Sequence, residues 1–230
     1  MEFSTFDRRG YPVVSAKTGY GEWAAQYDAT VAEGLDRFLL PAIASVDWSG
    51  VRQALDLACG TGRTGAWLAA RGVQAVDGVD ITPEMLEIAE RKQIYRRLVR
   101  ADVADTGLAA GSYDLCLLAL ADEHLAELDP VYREAARLLG TGGRFLLLGY
   151  HPFFLMNGVP THYHRSDGEA VTIESHVHLL SDHFHAGTGA GFALREFKEC
   201  VIDEAWLQSK PKWRRYLHWP VSFVLVWQRG

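Results

Sequence analysis

Residues 53–65 read Gln53-Ala-Leu-Asp56-Leu-Ala-Cys-Gly60-Thr-Gly62-Arg-Thr-Gly65. A short apolar run enters a glycine-rich turn, and a helical pattern opens directly behind it. Gly60 and Gly62 remove side chains where the backbone bends tightly and where a ligand approaches it. The helix behind the turn aims its unpaired N–H groups at whatever lies over the turn. This geometry suits a nucleotide-like ligand, and Gly60, Gly62 and Gly65 also satisfy the G-x-G-x-x-G spacing of dinucleotide-binding folds. Asp56 separates the alternatives. A dinucleotide fold carries an apolar residue at that point of the strand, whereas a carboxylate suits a ligand with an ammonium group, met directly or through water. Asp80 ends the next apolar run, 20 residues after Gly60, where a ribose-binding acid is expected. Nicotinamide and adenosyl ligands both carry that ribose, so Asp80 does not discriminate.

Asp56-Leu-Ala-Cys-Gly60-Thr-Gly62 resembles motif I of the class I S-adenosylmethionine-dependent methyltransferases, and Val79-Asp80-Ile-Thr-Pro-Glu-Met-Leu resembles motif II. Arg100-Ala-Asp102-Val-Ala-Asp is similar to the adenine-contacting motif. Tyr113-Asp-Leu-Cys-Leu-Leu-Ala-Leu is similar to the fourth strand, and Glu134-Ala-Ala-Arg-Leu-Leu-Gly-Thr-Gly-Gly-Arg-Phe-Leu-Leu-Leu to the helix and strand after it. The resemblance runs in order and spacing through residues 50–150, which makes it far more specific than a lone glycine motif. Its flavour is the UbiE-like, small-molecule branch. It implies transfer of a methyl group from S-adenosylmethionine to a small-molecule acceptor, oxygen favoured over nitrogen or carbon, with S-adenosylhomocysteine as product. It assigns the Gly60 and Gly62 backbone to the methionyl part, Asp56 to the amino group, Asp80 to the ribose, and Asp102 with Val103 to adenine. Ala119 contributes backbone near the donor amine, and Ala58, Ile81 and Tyr27 complete the cofactor set. Tyr27-Asp28 resembles the Tyr-Asp pair of an N-terminal helix that closes over the ligand. Plain packing of Tyr20, Trp23 and Tyr27 is the alternative.

A chain of 230 residues fits one α/β domain. It divides into an N-terminal helical cap (1–50), a core (51–150), a substrate-lid insert (151–180) and a closing helix with two strands (181–230). No apolar run approaches the ~20 residues of a membrane span, and the first residues lack the pattern of a signal peptide. Cys59, Cys116 and Cys200 are odd in number and widely spaced, which reads as free thiols in a reducing cytoplasm. A net charge of −6 argues against a nucleic-acid partner. No membrane partner is expected, and a homodimer is compatible with the sequence. Two basic clusters stand out. Arg91, Lys92, Arg96, Arg97 and Arg100 read as a solvated helix end. Lys210, Lys212, Arg214 and Arg215, interleaved with Trp213 and Tyr216, read as a solvated connector, with a contact to an acidic group on a substrate or partner as the alternative.

The apolar pattern predicts helices near 22–32 and 35–44, then strand 53–58, helix 63–71, strand 75–80, helix 83–92, strands 96–101 and 113–119, helix 129–139 and strand 143–149. A helix near 181–190 and strands 193–201 and 221–228 complete the chain. Alternation of this kind implies a Rossmann-like, doubly wound, mostly parallel sheet covered on both faces. The resemblance makes it seven-stranded with the last strand reversed.

Seven of the nine histidines lie between His151 and His185, so this insert is where individual function should reside. Val171–Leu180 alternates, which puts Glu174, His176 and His178 on one face of a strand. Asp167-Gly168 signals a hairpin. A two-residue turn separates His162 and His164 from His176 and His178. A three-residue turn pairs Arg165 with Glu169 and His162 with Thr172, so that the four histidines and Glu174 converge. The Arg165–Glu169 pair favours the second register. Three readings compete: a lid whose histidines supply a general base, a metal site on Glu174, His176 and His178, or a structural hairpin. We adopt the first, with His178, His176 and the rim residue His151 as candidate catalytic residues and no metal. The resemblance places His124 beside the ligand in a packing or hydrogen-bonding role. Two rivals remain. One is a nicotinamide-dependent oxidoreductase, which would lack a Tyr-x-x-x-Lys pair here. The other is an S-adenosylmethionine-binding protein without methyl transfer.

Overall fold

Strands with no polar alternation must be covered on both faces, and residues 115–118 and 145–148 are of that kind. Every side chain in both runs is fully buried. The computed structural model describes residues 1–31 and 36–230. In chain order its elements are β1 (Val13–Val14), α1 (Ala16–Thr30), α2 (Asp36–Leu39), β2 (Gln53–Leu57), α3 (Arg63–Ala70), β3 (Ala75–Asp80), α4 (Pro83–Arg91), β4 (Arg97–Arg100) and β5 (Tyr113–Ala119). Then come α5 (Asp129–Leu138), β6 (Leu139–Tyr150), α6 (Pro152–Met156), β7 (His162–His164), β8 (Ala170–Ile173), α7 (Leu180–Gly189), β9 (Phe192–Val201), α8 (Glu204–Ser209) and β10 (Pro220–Arg229).

Among the described residues, the main sheet has the order β4-β3-β2-β5-β6-β10-β9. The β2–β3, β2–β5, β3–β4 and β5–β6 pairs are parallel, and β10 runs antiparallel to both β6 and β9. The fold is therefore the Rossmann-like, mostly parallel seven-stranded sheet that the pattern and the resemblance imply. Strand order reverses between β2 and β5, and in open sheets of this kind ligands bind beyond the carboxyl ends at that switch. No helix among the described residues is long and apolar enough to cross a membrane.

Three elements depart from the sequence reading. α1 begins at Ala16 rather than near residue 22, because Ser15 caps it by accepting the Thr18 N–H at 3.3 Å. The helix expected over 35–44 starts outside the described residues and continues as α2 and a 3₁₀ turn at Leu40–Ala42 with Pro41 inside it. The strand expected from Val171 to Leu180 ends at Ile173. Beyond it the backbone is satisfied from elsewhere. Ser175 C=O accepts the Phe3 N–H at 3.1 Å, His176 N–H donates to Glu123 C=O at 2.6 Å, and Val177 N–H donates to Met1 C=O at 2.7 Å.

The hairpin itself takes the three-residue turn. Arg165 N–H donates to Glu169 C=O at 2.9 Å, Gly168 supplies a φ of +89°, and His162 lies opposite Thr172. β1 adds to β8 in parallel on the other edge, giving a small sheet β1-β8-β7. The histidine pairs nonetheless do not converge. His162 turns to Arg9, while His176 sits beside Glu2 at 3.2 Å. Among the described residues no three His, Cys, Asp or Glu side chains form a group that could hold a metal ion.

Three members of the first basic cluster, Lys92, Arg96 and Arg97, are tied down. Arg96 grips the fully buried Asp77 through Nε and Nη2, at 2.9 and 2.8 Å, and Arg97 and the Tyr113 hydroxyl add to the same carboxylate. These donors hold the Asp77 carboxyl below its ordinary value despite its burial. Lys92 pairs with Asp28 of α1 at 2.6 Å. The three cysteines are free thiols, with Cys59 and Cys116 buried.

Candidate active site

The glycine turn connects β2 to α3. Gly60 and Gly62 take φ of +51° and +89°, left-handed values that glycine adopts without strain. A Cβ built on Gly60 meets nothing within 4 Å, so its backbone faces open space. A Cβ on Gly65 would lie 2.3 Å from the Tyr95 hydroxyl, so the third glycine of the motif serves packing and not the ligand. Tyr95 uses this gap to donate its hydroxyl to Asp56 Oδ2 at 2.7 Å, and Thr64 Oγ1 donates to the same oxygen at 2.6 Å. We expect Gly65→Ala to lower stability by roughly 1–3 kcal/mol through overpacking, read from the urea midpoint, and Tyr95→Phe in the same background to recover part of that loss.

Asp56 is fully buried, and burial pushes its carboxyl up to about 6 against the pull of Thr64 and Tyr95. It lies beneath the turn and is absent from the wall of the cavity above. Thr64 and Tyr95 both hold Oδ2, by which Asp56 braces β2, α3 and Tyr95, while its buried Oδ1 carries no partner. Gly62 is likewise outside the wall, because its left-handed turn carries the chain away into α3.

The cavity has a volume of about 230 Å³ and lies over the carboxyl ends of the parallel strands. Ala58, Gly60, Asp80 and Ile81 line it from β2 and β3, Asp102 and Val103 from the end of β4, and Ala119 from β5. Tyr27 joins from above. Eight of the residues expected to bind the cofactor therefore meet in one place. Asp80 Oδ2 accepts the Gly60 N–H and Oδ1 the Thr82 N–H, both at 2.8 Å. Burial raises this carboxyl against those two bonds. Two non-glycine residues flank the cavity in the left-handed region, Ala58 and Leu120, each at φ +55°. Each costs about 1–3 kcal/mol, a form of strain that concentrates at ligand clamps.

α1 roofs the cavity. Ala16, Lys17, Tyr20 and Tyr27 all face it, and Asp28 anchors the roof by accepting from Thr61 Oγ1 at 2.5 Å and from Lys92. The aromatic stripe of α1 thus does both things the sequence allowed: Trp23 packs against Tyr163, while Tyr20 and Tyr27 cover the cavity.

Asp122-Glu123-His124 comes directly after β5. His124 lines the cavity, with Nδ1 on Glu174 C=O at 2.7 Å and Nε2 on the Tyr20 hydroxyl at 2.9 Å. The carbonyl requires a proton on Nδ1, so Nε2 accepts from Tyr20. Glu123 is buried, and its Oε1 accepts from Thr161 Oγ1 at 3.2 Å while Oε2 has no partner. Burial, with Asp122 adding to it, pushes the Glu123 carboxyl up to about 7. Burial likewise raises Asp122.

Glu123, itself buried, stands in the wall of a small cavity of about 60 Å³, the neck, which shares Tyr20, Tyr27 and Leu120 with the strand-end cavity. On its far side the neck shares Trp23, Tyr150 and Thr161 with a larger chamber of about 770 Å³. Three cavities therefore adjoin through shared wall residues, with a buried carboxylate in the wall of the middle one.

The expected catalytic histidines stand elsewhere. His151 caps α6 by accepting the Phe153 N–H, with Nε2 on Glu199 at 2.8 Å. His176 is held against the N-terminus by Glu2. His178 bonds Leu125 C=O at 2.7 Å, and burial pushes it down to about 4. None of the three lines the cavity, the neck or the chamber. For His176 and His178 the physical reason is that N-terminal residues claim the backbone beyond Ile173, whereas His151 is held by its own partners at the start of α6. Sequence reading overlooks Glu123 and Tyr20. The available signal is a run of three ionisable residues directly after an apolar strand, at the sheet's ligand-binding end.

Residues 55–147 match the methyltransferase domain family. A methyltransferase, GfsG, of Streptomyces halstedii is 30% identical over 135 residues, covering 56% of this chain and 49% of that protein. A demethylmenaquinone methyltransferase of Thermus thermophilus is 34% identical over 106 residues, covering 44% of this chain and 48% of that one. The chain thus spans about half the length of these curated relatives. The crystal structure of an S-adenosylmethionine-dependent methyltransferase from Mesorhizobium loti superposes with a TM-score of 0.65 at 21% identity, over 91% of this chain and 100% of that one.

Proposed function

We propose that this chain, whose residues 55–147 match the methyltransferase domain family, is a class I S-adenosylmethionine-dependent methyltransferase that methylates an oxygen of a small-molecule acceptor. One observation carries the reading: the strand-end cavity joins a second chamber through a neck lined by a buried carboxylate. The residues present fit the cofactor. Gly60 exposes bare backbone to the cavity, Asp80 sits at the end of β3 where ribose hydroxyls are bound in such sheets, and Asp102 with Val103 forms the next wall. Bound S-adenosylmethionine supplies an electrophilic methyl group on a sulfonium whose departure leaves a neutral thioether.

The chain then has two tasks, alignment and exclusion of water. The Tyr20, Trp23, Tyr27 and Tyr150 rings of the neck serve both. Glu123, on the wall of the neck, is the base we assign to the acceptor hydroxyl, its buried Oε2 having no partner of its own. Tyr20, held by His124 Nε2, fixes the width of the passage. We read the acceptor as a small molecule, in keeping with the small volume of the neck, and the protein as cytoplasmic.

The test is incubation of the purified chain with methyl-labelled S-adenosylmethionine and a panel of hydroxyl-bearing acceptors, beside calorimetric titration with S-adenosylhomocysteine. We expect micromolar binding of S-adenosylhomocysteine and label on an acceptor oxygen. Binding without label transfer to any acceptor class would favour a protein that holds the ligand and performs another step. Preference for NADH would remove the premise.

A further inference from the structure

The chamber beyond the neck differs in character from the rest of the molecule. The chain carries a net charge of −6, yet the described residues lining the chamber include Arg9, Lys210, Lys212 and Arg215, with His162 and His164, and no carboxylate. The second basic cluster of the sequence is divided by the fold. Arg214 points away and pairs with Glu204 at 3.1 Å, whereas its three basic neighbours line the chamber. The nearby acid Glu22 is engaged by Arg165 at 2.7 Å and by the Tyr163 hydroxyl at 2.5 Å. Among the described residues, no carboxylate lies at ion-pair distance from Arg9, Lys212 or Arg215.

These cations are held in place. Arg9 Nη1 donates to His162 Nε2 at 3.0 Å, because His162 Nδ1 gives its proton to Pro160 C=O at 3.0 Å. Lys210 lies over the Trp213 ring at 4.9 Å, and Arg215 over the Tyr216 ring at 4.6 Å. They also crowd one another: burial pushes the His162 imidazole down, and Arg9, His164 and Lys212 push it further. Like charges gathered in a cleft focus a positive potential that an anion relieves. The chamber's other wall is backed by stacked rings: Trp213 and Tyr150 stand on either side of the fully buried Phe154, at 5.2 and 6.3 Å, with the buried Trp206 behind Trp213 at 4.8 Å. Such a wall takes a flat or apolar body.

We infer that the chamber binds an organic anion, a molecule whose carboxylate or phosphate meets Arg9, Lys212 and Arg215 while its apolar body lies along the Trp213–Phe154–Tyr150 wall. Its far end then reaches the neck, where Glu123 stands. This rests on the methyltransferase reading and names the acceptor class for it. Anion and reacting hydroxyl are at opposite ends of one molecule. The negative charge stays at the exposed, basic mouth, and the hydroxyl that loses its proton sits in the buried neck.

The test uses the full chain with 1-naphthoate, 1-naphthyl phosphate and the neutral isostere 1-naphthamide, monitored by quenching of tryptophan fluorescence and by calorimetry at low and high salt. A charge-assisted contact implies that the anions bind about 10- to 100-fold more tightly than the amide, and that added salt weakens only the anions. The stronger of the two anions identifies the headgroup. Lys212→Ala with Arg215→Ala, both exposed positions, should erase the preference and leave S-adenosylhomocysteine affinity intact. Equal binding of naphthoate and naphthamide, or undiminished naphthoate binding by the double variant, overturns the inference. So does tighter, salt-sensitive binding of a single-stranded oligonucleotide. If S-adenosylhomocysteine fails to bind the wild-type chain while the anion preference persists, the premise about methyl transfer falls and the anion site stands alone.

Discussion

Replacing Glu123 by Gln is expected to lower kcat about 10²- to 10⁴-fold, the range for removing a positioned general base, with S-adenosylhomocysteine affinity unchanged. The split arises from position: Glu123 lines the neck and not the cofactor cavity. A purely structural carboxylate would alter both quantities or neither. The pH profile provides a second readout. Burial holds the Glu123 proton up to about 7, so the wild-type rate rises as pH passes through that value, and the Gln variant loses this limb. Glu123→Asp should restore part of the rate with a profile of the same sign. The linked stability has the opposite sense. The folded state keeps a proton that the unfolded chain releases near the ordinary 4.5. The resulting stability is fully present below 4.5 and is lost as pH rises to about 7. Thermal midpoints across that window should fall with pH in the wild type and fall less in Glu123→Gln. An unchanged kcat in the Gln variant would remove Glu123 from the reaction.

Asp80→Ala is expected to weaken S-adenosylhomocysteine binding by about 10- to 100-fold or more. Asp80 acts twice. It faces the cavity, and it accepts the Gly60 and Thr82 N–H groups at 2.8 Å. Truncation leaves these two donors unpaired beside the ligand, and a bond to a charged acceptor is worth about 1.5–3 kcal/mol. Asp80→Asn keeps the size and one acceptor oxygen, so it should lie between wild type and Ala. Calorimetric titration decides the order. Affinity in Asp80→Ala equal to wild type would show that the ribose lies elsewhere, since loss of the turn alone should already weaken binding.

The cofactor half of the site is largely legible in the amino-acid sequence, because each of its parts is local. Gly60 and Asp80 sit at strand ends that apolar runs mark plainly, and Asp102 with Val103 obeys the same rule. Asp56 shows where local reading fails. A carboxylate inside a strand next to a glycine turn suggests ligand contact, but its partners Thr64 and Tyr95 are 8 and 39 residues away in the chain, and only packing reveals that they hold its Oδ2. The hairpin register is readable too, since the Arg165–Glu169 pair and Gly168 specify the turn within a few residues. The path of the chain beyond Ile173 is not. The partners of Ser175 and Val177 are Phe3 and Met1, and no periodicity within 171–180 encodes an N-terminal segment that docks from afar.

By itself the sequence determined the Rossmann-like sheet, the position of the strand-end cavity and the resemblance to the methyltransferases. Each depends on apolar periodicity, glycine conformational freedom and short spacings, all fixed over a few residues. Only the tertiary structure brings together the residues proposed for the acceptor side. Arg9, Tyr20, Glu123, Phe154 and Trp213 come from five separate stretches of chain, and they meet only because α1 and the C-terminal segment close over the same edge of the sheet. The histidines that looked catalytic are gathered in sequence alone. A proton acceptor needs proximity to the reacting atom and burial that tunes it, and those are properties of packed space, which placed Glu123 at the neck and the histidines behind it.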